Sequence, residues 1–106
     1  MSLPELDPDQ RQAALAKAAE ARRVRADVKQ RLKSGQLSLP GFLAEADGSP
    51  PLAKMRVSDV LEAMPAYGPV KAERLMGHLD IASSRRVRGL GARQRAALLA
   101  AFGPPS

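Results

Sequence analysis

The stretch that decides the fold is Met64-Pro65-Ala66-Tyr67-Gly68-Pro69-Val70-Lys71-Ala72. Pro65 ends the helix that precedes it, because proline has no backbone N–H and clashes with the helical turn before it. The pair Gly68-Pro69 is typical of a tight turn that opens a second helix, since proline suits the first helical position. The sequence therefore predicts two helices joined by a short glycine turn.

The first turn of the second helix is a candidate anion site. Its backbone N–H groups have no partner within the helix, and they lie at the positive end of the helix dipole. Gly68 has no Cβ to obstruct an approaching phosphate, and Lys71 can add a charge-assisted hydrogen bond. An ordinary helix–turn–helix connection explains the same residues equally well, and Tyr67 is expected to pack against the turn.

Helical signals continue on both sides of this turn. Asp7-Pro8-Asp9-Gln10 predicts a helix start, with Asp7 as the cap and Gln10 at the reciprocal capping-box position. This helix is expected to run to Ser34-Gly35, about 26 residues or roughly 39 Å, and to dock only its C-terminal half, because its apolar stripe is thin. Shorter helices are predicted at residues 37–46 (capped by Ser38), 57–64, 69–79, 84–88 and 92–102. With no alternating strand pattern, the expected fold class is all-α.

Gly48-Ser49-Pro50-Pro51 has the composition of a linker. We therefore expect an N-terminal helical arm in residues 1–51 and a compact helical domain in residues 52–106. The predicted core of that domain consists of apolar residues at helical spacing, namely Val57, Val60, Leu61, Met64, Val70, Leu75, Met76, Leu79, Ile81, Val87, Leu90, Leu98, Leu99 and Phe102.

The positive charge is concentrated in two blocks. The chain has a formal net charge of +6, of which residues 9–33 carry +5 and residues 81–106 another +5, while residues 54–80 are neutral and the remainder carries −4. A basic surface that served only for solubility would not be expected to separate in this way. A polyanion is the expected partner.

Several function classes are disfavoured by composition. The chain has no cysteine and one histidine, so we expect no disulfide, no metal site and no cofactor. The acidic residues are scattered singly, which gives no catalytic dyad or triad, and we expect no enzyme activity. No apolar run approaches the roughly 18 residues that a membrane helix needs, and no secretory signal is evident, so a cytoplasmic protein is expected. Only three aromatic residues are present, too few for stacking single-stranded bases.

The segment Ser84-Arg85-Arg86-Val87-Arg88-Gly89-Leu90-Gly91 is the second informative motif. It predicts a short helix on which Val87 and Leu90 anchor three outward arginines. Arginine forms bidentate hydrogen bonds to phosphate or to guanine, and Gly89 and Gly91 allow close backbone approach. A solvated basic turn is the alternative interpretation.

Further basic residues are candidates with less specific signals. Alternation predicts that Lys54 and Arg56 point to one side while Met55 packs on the other, which makes a phosphate contact as plausible as a solvated position. On the long helix, a basic stripe includes Arg22, Arg25 and Lys29; long basic helices are also often merely soluble.

These motifs together resemble the actinobacterial, mycobacterial-type integration host factors. The resemblance rests on Lys54-Met55-Arg56-Val57-Ser58, on Leu61-Glu62-Ala63-Met64-Pro65, on the Gly68 turn and above all on Arg85-Arg86-Val87-Arg88-Gly89-Leu90-Gly91. Asp9-Gln10-Arg11 and Ala18-Ala19-Glu20-Ala21-Arg22-Arg23 also resemble that family. The likeness covers nearly the whole chain and is weakest at residues 34–53.

The resemblance implies a long N-terminal helix followed by a helix-two-turn-helix module. It also implies binding to duplex DNA with little sequence preference, nucleoid organisation, DNA bending and assistance to a phage integrase. Carried over by position, it assigns a phosphate-gripping turn to Gly68, Val70 and Lys71, and groove-facing arginines at 85, 86 and 88. One departure is Pro69, where family members usually have lysine; it removes one N–H and one charge from the turn.

The expected function is therefore monomeric, sequence-tolerant binding to double-stranded DNA. Two alternatives remain at this level. One is an RNA-binding or ribosome-associated protein, since a basic helical surface serves either nucleic acid. The other is an accessory module that targets an integrase or nuclease to DNA, with the first helix as a partner-binding face.

Overall fold

A long helix with a free N-terminal half dominates the computed structural model, which describes residues 7–65 and 67–102. Helix α1 spans Pro8–Lys33. The Asp7 side chain accepts a hydrogen bond from the Gln10 N–H at 2.7 Å, and the Gln10 side chain accepts one from the Asp7 N–H at 3.2 Å. The predicted capping box is confirmed. Gly35, with a φ of +81°, follows the C-terminal end in the left-handed region that glycine tolerates.

Among residues 7–65 and 67–102, the part of α1 that is buried against other elements is its C-terminal half. Val28 and Leu32 are buried, whereas every residue from 7 to 20 is exposed. As the thin apolar stripe predicted, the helix packs through its C-terminal half, and the first half projects as an arm.

The remaining elements are short. Helix α2 spans Leu39–Asp47, capped by the predicted Ser38, and α3 spans Pro50–Ala53. Helices α4 (Val57–Ala63) and α5 (Pro69–His78) flank the glycine turn, a 3₁₀ turn covers Val87–Gly89, and α6 spans Ala92–Ala101. Within the described residues the β-type pairing is a single bridge between Arg56 and Arg86, and every helix there is too short or too polar to cross a membrane. The all-α prediction is confirmed.

Two local predictions are wrong. Residues 84–88 do not form a helix, because Arg86 is extended and helical geometry, of the 3₁₀ kind, begins only at Val87. Pro50 and Pro51, which the sequence placed in a linker, form the first turn of α3, where a missing N–H costs nothing.

One hydrophobic cluster draws on all of these helices. Its buried members are Val28, Leu32, Leu39, Phe42, Leu43, Ala46, Leu52, Met55, Val57, Val60, Leu61, Ala72, Met76, Ile81, Val87 and Leu98. Of the predicted core residues, Val70 is wrong, since it is 63% exposed, and the other thirteen are buried or pack against the cluster. The predicted domain boundary follows residue 51, but the cluster contains residues on both sides of it, from α2 as well as from α3. The core is therefore not confined to residues 52–106, and the division into two domains stays a prediction.

The shared cluster generates a stability prediction. Phe42 is fully buried, so Phe42→Ala removes its packing and leaves a cavity, which should lower the free energy of unfolding by about 3–5 kcal/mol. Urea unfolding followed by circular dichroism should show a single transition moved to lower denaturant. A second transition at the wild-type midpoint would mean that residues 52–106 unfold independently of Phe42.

Candidate nucleic-acid interface

Two distant segments pair their backbones at the centre of the site. The Val57 N–H donates to the Arg85 carbonyl at 3.0 Å, and the Val87 N–H donates to the Met55 carbonyl at 2.9 Å. This antiparallel pairing explains why Arg86 is extended rather than helical. It also brings Arg56 opposite Arg86.

Alternation along these segments sorts side chains between core and solvent. Met55, Val57 and Val87 are buried, whereas Lys54 and Arg56 on one segment and Arg86 on the other are exposed. The predicted opposite placement of Met55 and its two basic neighbours is confirmed, as is the anchoring role of Val87.

The exposed cations face helix α1 across a groove of about 380 Å³. We call it the basic groove; it is lined by Arg25, Lys29, Lys54, Met55, Arg56, Asp59 and Arg86. Five cations and one carboxylate give it a formal charge of +4. All five cations are recognisable in the sequence as candidates. Their convergence is not, because it depends on α1 packing against α3 and α4.

A second basic depression continues from the first. It has a volume of about 350 Å³ and is lined by Ala82, Ser84, Arg85, Arg86, Arg88 and Gly89. Because Arg86 lines both depressions, the two form one basic surface that runs from α1 to the 3₁₀ turn. The predicted cluster of arginines is therefore present, but not on one helix: Arg86 is extended and Arg88 lies in the 3₁₀ turn.

Two of these arginines are held by backbone carbonyls. Arg86 Nη1 donates to the Lys54 carbonyl at 2.6 Å, and Arg85 Nη1 donates to the Gly89 carbonyl at 3.0 Å. Each guanidinium keeps further N–H groups for a ligand. Since a fixed side chain loses less rotamer entropy on binding, this arrangement favours recognition of an anion.

Gly89 has a specific relation to Arg85. A Cβ at Gly89 would lie 3.2 Å from Arg85 Cδ, a tight contact that the side chain can relieve only by shifting a few tenths of an ångström. At Gly91, which caps α6, the nearest atom to a Cβ would be Gln94 Oε1 at 3.7 Å, an ordinary contact. Gly89 thus provides space for Arg85 across the turn.

The predicted glycine turn between α4 and α5 is present, and its binding of an anion stays a prediction. Gly68 caps α5 in an extended conformation with open space around its Cα, and Val70 and Lys71 are exposed in the first turn. These three residues line neither basic depression. Tyr67 packs on Phe102 with ring centroids 5.3 Å apart, and Lys71 Nζ lies 5.4 Å from the Tyr67 ring centre.

Other arginines are committed to acidic partners and organise the fold. Arg31 forms a bidentate pair with Glu45, which ties α1 to α2, and Arg95 forms one with Asp47, which ties α6 to α2. The hydrogen bonds from Arg31 hold the pKa of Glu45 below its usual range, and those from Arg95 do the same for the pKa of Asp47. Arg23 is paired with Glu20 on the arm.

Among residues 7–65 and 67–102, no group of three or more His, Cys, Asp or Glu residues could hold a metal ion. Arg22 is exposed one turn before Arg25 on α1, and Gly91 is exposed at the start of α6.

Residues 32–102 match the family model of the S13-like H2TH domain, so the helix pair and its glycine turn define a protein of the helix-two-turn-helix class. The chain is 54% identical over 103 residues to "Integration host factor" of Mycobacterium tuberculosis, covering 97% of this chain and 98% of the relative. It is 50% identical over 103 residues to the protein of the same name from Streptomyces coelicolor, covering 97% and 96% respectively. The chain belongs to the actinobacterial integration host factor family, as the resemblance predicted.

A solved structure agrees with the fold. It is described as the structure of sIHF bound to an 8bp palindromic DNA, and it superposes with a TM-score of 0.80 at 46% identity, covering 83% of this chain and 99% of that one. The names of these relatives designate no enzyme.

The ion pairs of Arg31 with Glu45 and of Arg95 with Asp47 predict that the fold becomes less stable at acid pH. Because Glu45 and Asp47 have lowered pKa values in the folded state, their contribution to stability is complete above their ordinary values of 4.5 and 3.8 and is lost as the pH falls through the folded-state values. We expect the free energy of unfolding to decrease below about pH 5 and to decrease less in Asp47→Asn. Urea titrations across this pH range measure it.

The matched control is Asp9→Asn, since Asp9 has no ion pair with the described residues. A pH profile for Asp47→Asn that superposes on the Asp9→Asn profile would show that the pair with Arg95 does not stabilise the fold.

Proposed function

We propose that this chain binds double-stranded DNA as an architectural protein of the nucleoid, with little sequence preference. The observation that carries the proposal is the convergence of five cations on the basic groove, in a family whose structural neighbour is described as bound to DNA. The basic surface formed by the two depressions is the proposed interface.

Binding is mainly electrostatic. Phosphates occupy the basic surface and displace condensed cations, which favours association at low salt. Lys54, Arg56 and Arg86 contact the backbone of the duplex, and Arg25 and Lys29 contact it from α1. Arg22 extends the same face of α1 along the DNA. Contacts to phosphate carry no sequence information, which accounts for the low specificity.

The arginines of the second depression are placed for a groove edge. Arg88 is exposed beside the 3₁₀ turn, and Arg85 and Arg86 are fixed by backbone carbonyls. Arginine inserted beside a groove adds attraction without demanding one base sequence. Gly91 leaves the backbone at the start of α6 open to the same strand.

The glycine turn is a second point of attachment to the duplex. Gly68, Val70 and Lys71 present the N-terminal turn of α5 to a phosphate, with Pro69 supplying no N–H. Contacts at two separated places on one protein resist rotation of the duplex and are suited to holding it bent. We further propose assistance to a phage integrase in a nucleoprotein complex, which the name of the relatives supports.

The principal test is a salt titration by fluorescence anisotropy on several unrelated short duplexes. Neutralising about five or six phosphates predicts a log–log slope of about −4.5 to −5.5. The double variant Arg86→Ala/Arg88→Ala should weaken binding alike on every duplex and make the slope shallower by about 2. Arg23→Ala is the matched control, because that arginine is paired with Glu20 outside the basic surface.

Wild-type affinity in the double variant would reject the basic surface as the interface. Duplex RNA of equal length is included as a competitor. Displacement by RNA at lower concentration than by DNA would favour the RNA-binding alternative, because A-form grooves present different surfaces to the same arginines.

A separate prediction concerns Gly89. If it acts by making room for Arg85, Gly89→Ala should weaken DNA binding in the wild type but have no effect in an Arg85→Ala background. Gly91→Ala, where the added Cβ meets only an ordinary contact, should leave the position of Arg85 unchanged. Anisotropy on the four variants of the cycle gives the coupling energy, expected at about 0.5 kcal/mol or more. Additive losses would instead indicate direct approach of the Gly89 backbone to DNA.

A further inference from the structure

The basic groove has the size of a small-molecule site. Its volume of about 380 Å³ lies within the range of about 300–1,000 Å³ that such sites occupy. One wall is α1, which contributes Arg25 and Lys29. The other is formed by the two paired segments, which contribute Arg56 and Arg86. A narrow anion seated between the walls therefore meets cations from two sides.

The cations of this groove are not neutralised by the protein. In the part of the chain that the structure describes, none of the five forms an ion pair. Arg56 lies opposite Arg86 in an antiparallel bridge, where side chains begin about 5 Å apart. Two like charges at this separation repel each other, and an anion placed between them replaces that repulsion with two attractions.

The lining favours phosphate over a base or a sugar. Met55 is its one apolar residue and is buried, and no aromatic side chain lines the groove on which a base could stack. In a linear polyphosphate, a single bridging oxygen joins successive phosphates, without the sugar that separates them in DNA. More negative charge therefore fits into the same volume, and every phosphate can accept charge-assisted hydrogen bonds.

We propose that the basic groove also binds a short linear polyphosphate, either free or as the tail of a nucleoside triphosphate, and that this anion excludes DNA from the groove. Its phosphates bridge α1 and the pair Arg56 and Arg86. The second depression is a weaker site, because its three arginines come from one segment and face no opposing wall of cations. Competition with DNA rests on the proposed function, whereas binding of the anion to the protein does not.

The first test is isothermal titration calorimetry of the full chain with tripolyphosphate, at low salt and without DNA. We expect one saturable site with a dissociation constant below about 1 mM. Orthophosphate, which is too short to reach both walls, should bind at least about tenfold more weakly. ATP should bind no more tightly than tripolyphosphate, since the groove offers nothing to the adenosine. Tighter binding of ATP by about tenfold or more would reject recognition through phosphate alone.

Two double variants locate the site. Arg25→Gln/Lys29→Gln removes two charges from the α1 wall and should weaken tripolyphosphate binding by at least about tenfold. Arg85→Gln/Arg88→Gln removes two charges that line only the second depression, and it should leave this affinity unchanged. Both doubles should weaken DNA binding, because a duplex spans the whole basic surface. Equal losses of tripolyphosphate affinity in the two doubles would overturn the assignment to the basic groove.

A gain of binding provides a test that misfolding cannot imitate. Asp59 is the one carboxylate in the lining of the basic groove and is exposed. Asp59→Asn removes its repulsion of the anion and should tighten tripolyphosphate binding by about threefold or more at low salt. Asp9→Asn makes the same change of charge at the far end of α1 and should bind as the wild type does. Equal affinities in these two variants would contradict the proposal.

Competition is measured by fluorescence anisotropy on one short labelled duplex. Tripolyphosphate should displace the duplex at concentrations where potassium chloride of the same ionic strength does not, and at lower concentration from Asp59→Asn. Displacement no greater than that by potassium chloride would reject exclusion of DNA, and the absence of a saturable site in calorimetry would reject the binding site. A wild type that binds tripolyphosphate but no duplex would instead reject the proposed function while leaving the polyphosphate site supported.

Discussion

The pairing of residues 55–57 with residues 85–87 is the constraint on which the site depends. Two backbone hydrogen bonds, Val57 N–H to the Arg85 carbonyl and Val87 N–H to the Met55 carbonyl, join segments about thirty positions apart. The same pairing buries three apolar side chains and leaves basic ones in solvent. It also forces Arg56 opposite Arg86, an arrangement of like charges that destabilises an isolated pair of strands. Burial of the apolar neighbours must offset this repulsion, and an incoming polyanion would relieve it.

The arginines of the chain fall into two groups with different roles. Arg31 and Arg95 are engaged by carboxylates and hold α2 against α1 and α6, whereas Arg25, Arg56, Arg86 and Arg88 have no acidic partner within 4 Å among the described residues. Exposed ion pairs contribute little to stability individually, so their value here is geometric. They fix how helices meet while the unpaired cations remain free for a ligand.

The features that sequence predicted well are those that depend on neighbouring residues. Asp7 and Ser38 cap helices because their side chains accept hydrogen bonds from backbone N–H groups three residues later. Pro65 and Pro69 restrict the backbone at their own positions, so one ends a helix and the other begins one. The alternation of exposed and buried side chains at residues 54–56 also depends only on neighbouring residues. All of the cations that line the two basic depressions were recognisable for a similar reason, since unbalanced charge is visible without knowing the fold.

The features that sequence missed depend on contacts between distant segments. Residues 84–88 have a helical composition, but their hydrogen-bonding groups pair with residues 55 and 57 instead. Phe42 and Leu52 joined the common core although glycine, serine and prolines between them suggested a boundary. Val70 is apolar yet exposed, because the first turn of α5 points it away from the cluster.

The contact between Tyr67 and Phe102 has a practical consequence. The chain contains one tyrosine and no tryptophan. Because phenylalanine contributes little to near-ultraviolet absorption and emission, these signals come almost entirely from Tyr67, which lies in the glycine turn and packs against Phe102 at the end of α6. Without any introduced label, the intrinsic ultraviolet signal of the whole protein is therefore a local spectroscopic probe of whether the C-terminal helix stays seated on that turn.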